Sequence, residues 1–116
     1  MSALTDFEAS LSHGDVIAQL RAGLIGENVV LDGPRGPVPL IYADYVASGR
    51  ALKQVETFVQ DQLLPYYANT HTQASFVGSY CTRMREEARA RIAMLTGADE
   101  GCSVVFAGSG STAGIN

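Results

Sequence analysis

"SVVFAGSGSTAGIN", residues 103–116, is the stretch on which the reading of the chain turns. An apolar run, a glycine-serine turn and a helix opening follow one another. In that order they predict a short buried strand over 102–108, a tight turn, and a helix starting at Ser111 or Thr112. The first amides of such a helix have no partner inside it and the helix dipole points its positive end at them, so the geometry faces an anion. Gly108 and Gly110 let a ligand approach the backbone, and Ser109, Ser111 and Thr112 add hydroxyl donors. The alternative for the same residues is a plain turn between strand and helix with a serine cap. A Walker loop is excluded because its lysine is absent, and the glycines are spaced GxGxxxG rather than as a dinucleotide fingerprint.

Upstream, the pattern alternates between helical and extended periods. "GDVIAQLRAGLIG" places Val16, Ile17, Leu20 and Leu24 at helical spacing, with Asp15 as N-cap and Gly23 or Gly26 as the stop. "ENVVLDGPRGPVPLIYADY" reads as extended segments joined by a turn at "DGPRGP", with a buried strand at Leu40 to Ala43. "SGRALKQVETFVQDQLLP" predicts an amphipathic helix that opens with Ser48 as its cap, carries Leu52, Val55, Val59 and Leu63 on one face, and closes at Pro65. "YYANTHTQASFVG" has no period and reads as a connection. "SYCTRMREEARARIAMLTGA" predicts a long helix with Tyr80, Met84, Ala88, Ile92 and Leu95 inward, a Glu87–Arg91 pair and Gly97 as its stop. The arginines 83, 85, 89 and 91 read as a solvated face. Residues 1–14, acidic and polar, are expected to be flexible, and 15–116 to form one α/β domain portion.

Composition narrows the function. A net charge of −4 argues against nucleic-acid and anionic-membrane binding, which need a basic face. No apolar stretch approaches the roughly 20 residues that cross a bilayer. Two cysteines, Cys81 and Cys102, without a CxxC pair or a secretory leader, make a reduced, cytoplasmic protein the default expectation. The two histidines and the cysteines lack metal-ligand spacing. Asp44 reads as a turn residue, and Asn69 and His71 as loop residues that meet either backbone or ligand. Seven arginines accompany a single lysine, Lys53, which falls on an exposed helix face.

Four stretches in order resemble one family. "IYADYVASGR", "PYYANTHTQAS", "REEARARIAMLTGA" and "VVFAGSGSTAGIN", spread over residues 40–116, are similar to segments of the class V aminotransferases, which include the cysteine desulfurases and belong to the fold-type I pyridoxal-phosphate enzymes. The resemblance implies that Gly110, Ser111 and Thr112 stand for the family's Gly-Ala-Thr, whose amides and threonine hydroxyl hold the phosphate of pyridoxal 5′-phosphate. It implies that Ala47 and Ser48 line the substrate side of the pocket and that Asn69 and His71 lie near its entrance. A small-molecule amino-acid substrate and a homodimer are implied in the same way.

Pyridoxal-phosphate chemistry needs an amine that holds the cofactor as a Schiff base and a carboxylate on its pyridine nitrogen. The family places both after the phosphate turn, and Lys53 precedes it. A helix started at Thr112 would also fall short of the roughly 12 residues that make an isolated helix marginal. The expectation is an N-terminal fragment of a larger enzyme, for transamination or cysteine desulfuration, inactive alone. The alternative is a small non-enzymatic phosphate-binding α/β domain that uses Ser109 to Thr112.

Overall fold

The computed structural model describes residues 2–70 and 73–115. It contains helices and one small sheet, compatible with the α/β class. The chain divides into two units, one of Thr5–Pro65 and one of Ser2–Leu4 with Tyr66–Asn116.

α1 (Ala3–Leu11) forms where the sequence reading placed no helix; from Thr5 onward it belongs to the first unit, where its Phe7 ring lies 4.8 Å from that of Phe58. This contact pairs residues far apart in sequence, so no local period announces it. α2 (Val16–Ala22) follows its local signals: the Asp15 carboxylate accepts the Ala18 amide at 3.0 Å, and Gly23 closes the helix. Gly23 then accepts the Lys53 amide at 2.8 Å, and Ala51 accepts that of Ile25 at 3.0 Å.

β1 (Val30–Gly33) and β2 (Gly36–Pro39) pair antiparallel, with Val30 opposite Pro39 and Gly33 opposite Gly36. Gly36, at φ +112°, takes a backbone conformation that residues with a Cβ rarely adopt, which is how so short a turn closes. Leu40 donates to Val29 at 2.8 Å. By the two-residue alternation of an antiparallel ladder, Pro37 and Pro39 then fall at positions whose nitrogen faces away from β1. The prolines remove no ladder bond, and they leave the outer edge of β2 without donors there.

The strand expected at Leu40–Ala43 does not form, and Ile41 is 83% exposed. Ser48 does not cap the next helix either. α3 (Lys53–Phe58) starts after Leu52, which makes no side-chain cap bond, while the Ser48 hydroxyl donates to Gly49 O at 3.3 Å. The first helical amide, that of Lys53, is satisfied by the tertiary bond to Gly23. Nor does Pro65 stop the chain abruptly. Its ring would clash with the carbonyl of Asp61 in a continuous α-helix; the backbone instead widens to a π turn over Val59–Leu63 and tightens to a 3-10 turn over Leu64–Tyr66.

The second unit is organised by α4 (Phe76–Thr96), which begins three residues before the run of residues that predicts it. Ser75 caps it, accepting the Gly78 amide at 3.1 Å. At the other end Gly97, at φ +70°, lets its own amide reach Met94 O and that of Ala98 reach Ala93 O, closing the helix in a Schellman motif. Cys81 is the one apolar side chain buried among the described residues, and its thiol donates to Tyr66 O at 3.2 Å. The Tyr66 ring packs 4.8 Å from Tyr80 and 5.9 Å from Phe76. Burial, then the neighbouring Tyr66 and Cys81, raise the Tyr80 hydroxyl above the usual tyrosine range. The inward stripe ends early: Ile92 is 38% and Leu95 79% exposed. The aromatic cluster covers only the first turns of α4, and a stripe is buried only where another element lies on it.

Candidate functional site

Past Gly97 the chain turns back along α4. The Asp99 carboxylate accepts the Gly101 amide at 2.9 Å, and its carbonyl accepts that of Cys102 at 3.0 Å. A hydrogen bond from the Cys102 side chain, followed by the Gly101 amide, holds the Asp99 carboxyl below its usual range. Residues 102–108 form no strand, and Val105 is 74% exposed. The predicted buried strand fails for want of a ladder, since no described segment pairs with it.

Side chains of α4 hold this run instead. Arg89 Nε donates to Val104 O at 3.0 Å, and the Arg89 guanidinium carbon lies 5.5 Å from the centre of the Phe106 ring. Arg85 approaches the same ring at 5.7 Å while donating to Thr70 Oγ1 at 3.2 Å. An open recess between α4 and this run is lined by Glu86, Arg89, Ala93, Cys102 and Val104, among others. The solvated arginine face is therefore corrected for two of its members. Arg91 keeps its predicted partner, Glu87, at 2.9 Å.

Beyond Phe106 the backbone enters the glycine turn, with φ +115° at Gly108 and +67° at Gly110. A Cβ on Gly108 would come within 3.2 Å of the Ala113 Cβ, whereas one on Gly110 would meet nothing within 4 Å. The turn is closed on its helix side and open at Gly110. α5 (Gly110–Ile115) starts there, one residue before the earlier expected start, and Gly110, Ser111 and Thr112 are all exposed. Open space, a backbone without a side chain and two hydroxyls fit a phosphate group. The unit that carries the turn contains no lysine.

The other residues singled out by sequence are distributed between the units. Ala47 and Ser48 lie in the first, in a loop closed by the Tyr42 hydroxyl, which donates to Ser48 O at 2.6 Å and Asp44 O at 3.1 Å. The Asp44 carbonyl also accepts the amides of Ala47 and Ser48, each at 3.2 Å, so its turn role is carried by the backbone. Asn69 is exposed in the connection before α4, whose Thr70 carbonyl accepts the Thr82 hydroxyl at 2.6 Å. His71 lies outside the described residues. Lys53, the first residue of α3, is exposed as expected. Sequence reasoning missed Arg85, Arg89 and Phe106 as a group. The four-residue spacing of the arginines was visible, but the ring they meet lies well beyond the end of their own helix.

The family model described as Aminotransferase class-V matches residues 41–116, from the end of the hairpin through the glycine turn. No curated protein and no solved structure matches the chain. The matched span takes in more than half of the residues and both the Asp44 loop and the turn, and the chain belongs to the class-V aminotransferase family.

Proposed function

We propose that this chain serves a pyridoxal-phosphate-dependent enzyme acting on an amino acid, by transamination or cysteine desulfuration, and that Gly110, Ser111 and Thr112 hold the cofactor phosphate. The carrying observation is the exposed glycine turn, open at Gly110, inside the span matched by a family that is generally pyridoxal-phosphate-dependent. When bound, the cofactor supplies an electron sink for charge developing at the substrate. The chain's own part is binding. The amides at the start of α5 and the Thr112 hydroxyl face the phosphate dianion, and Gly110 lets it approach without a Cβ in the way. The family resemblance assigns Ala47 and Ser48 to the substrate side of the enzyme's pocket, and Asn69 and His71 to its entrance. Lys53, exposed on α3, is not the amine that holds the cofactor, and the chain alone does not turn over substrate. The active enzyme is a homodimer in the cytoplasm. No described helix is long and apolar enough to cross a membrane.

Equilibrium dialysis with pyridoxal 5′-phosphate, pyridoxal and inorganic phosphate tests this. Pyridoxal phosphate should bind, pyridoxal should not, and inorganic phosphate should compete. Thr112→Ala removes a hydrogen bond to a charged group, which contributes ~1.5 kcal/mol, and should weaken binding roughly tenfold. Lys53→Ala should leave it unchanged. Equal binding of pyridoxal and its phosphate, insensitive to Thr112, would overturn the assignment. Inorganic phosphate binding as tightly as the cofactor would favour a phosphate-binding domain without the enzyme chemistry.

A further inference from the structure

A phosphate site needs its amides held to within roughly half an ångström, and that precision ordinarily comes from rigid elements beneath them. Here the run that feeds the glycine turn has no sheet partner among the described residues. Its support comes from side chains of α4, of which Arg89 bonds the backbone of the run. The guanidinium of Arg89 does three things at once: Nε donates to Val104 O at 3.0 Å, the carbon lies 5.5 Å from the Phe106 ring centre, and Nη1 donates to both Glu86 carboxylate oxygens at 2.6 Å.

The Val104 carbonyl and the Phe106 ring, two residues apart, meet the same guanidinium, so one side chain of α4 holds the run at two points. The guanidinium fork spreads its donors over Nε and Nη1, so it reaches the Val104 carbonyl and the Glu86 carboxylate from separate atoms while its carbon stands near the ring; a lysine ammonium has all its donors on one atom. Glu86, one turn back, orients the fork. Arg85, on the same face, meets the same ring at 5.7 Å. The grip ends at Phe106, two residues before Gly108.

We propose that Arg89 is a positioning residue for the phosphate turn. It sets where Gly108 to Thr112 stand by holding the Val104 carbonyl and the Phe106 ring on α4. The inference rests on the reading that this turn takes a phosphate.

Arg89→Lys keeps the charge and removes the fork. Arg83→Lys makes the same exchange at an exposed site on α4 and serves as the control. Pyridoxal phosphate affinity is measured by equilibrium dialysis, the bound phosphate by its phosphorus NMR resonance, and the amides of 105–112 by hydrogen exchange. Arg89→Lys should weaken binding about tenfold, shift the phosphorus resonance and speed exchange across the turn, while Arg83→Lys changes none of these. Phe106→Leu should act in the same direction, and the double variant should lose less than the product of the two single losses. If circular dichroism shows that Arg89→Lys melts α4, Phe106→Leu carries the test, because it leaves the Arg89–Glu86 pair in place. An unchanged affinity and resonance in whichever variant keeps α4 intact would overturn the inference and leave the phosphate reading standing. An unsubstituted chain that binds no phosphate would overturn both.

Discussion

The hairpin at Val30–Pro39 and the run at 102–108 are both short, apolar and largely exposed, yet only the first forms strands. The difference is the distance to a partner. β1 and β2 are separated only by Pro34 and Arg35, so closing their loop costs little entropy and the ladder forms without a core beneath it. The run at 102–108 has no described neighbour to pair with, and a helix an earlier turn of chain away supplies hydrogen bond and ring contacts in place of a ladder. Strand propensity alone is thus insufficient: a strand is a property of a pair.

The largest effect in that contrast should come from the hairpin turn. Gly36→Val forces a β-branched residue to φ +112° and should cost about 1–3 kcal/mol locally. Faster exchange of the Leu40 amide, bonded to Val29 O, with unchanged exchange over 102–108, is the expected outcome. Protection of Leu40 equal to that of the unsubstituted chain would mean that the turn does not hold the pair.

A smaller effect concerns the free edge. Replacing both Pro37 and Pro39 by Thr restores two outward donors, each worth about 1 kcal/mol when paired. Sedimentation should then show a greater mass than the unsubstituted chain at equal concentration, through pairing edge to edge. An unchanged mass across the concentration range would show that the prolines are not what protects this edge.

The smallest effect lies at the start of the unpaired run. The Asp99 carboxyl is held below its usual range by the Cys102 side chain and the Gly101 amide. A depressed folded-state pKa stabilises the turn above the unfolded value and ceases to do so as the pH falls through the folded one. The Gly101 and Cys102 amide resonances should therefore move towards unfolded positions on acidification through and below the carboxylate range, while the hairpin resonances stay in place. Asp99→Asn should abolish that titration.

Much of the site was legible before the fold. The glycine turn and its hydroxyls were read from residues 108–112 directly, since φ values of +115° and +67° are conformations that glycine readily adopts. Arg89 was legible only as one charge on a helix, because its acceptor, Val104 O, is fifteen residues away and carries no side-chain signature. The Ser48 cap failed for a related reason. Serine is a strong local signal, but α3 starts only at Lys53, whose amide bonds Gly23 O through a contact between distant parts of one unit.

The sequence by itself determined where helices stop and turns begin: Asp15 and Gly23 around α2, Gly97 after α4, the "DGPRGP" hairpin turn, and the ordered motifs that mark the family. These act within about four residues, through side-chain caps and backbone conformations that a single amino acid controls. Only the tertiary structure decided which apolar runs became strands, how far the stripe of α4 was covered, and which arginines left the solvent to hold the backbone before the turn. Each of those outcomes needs a second group, brought close by the path of the chain and not by its local chemistry.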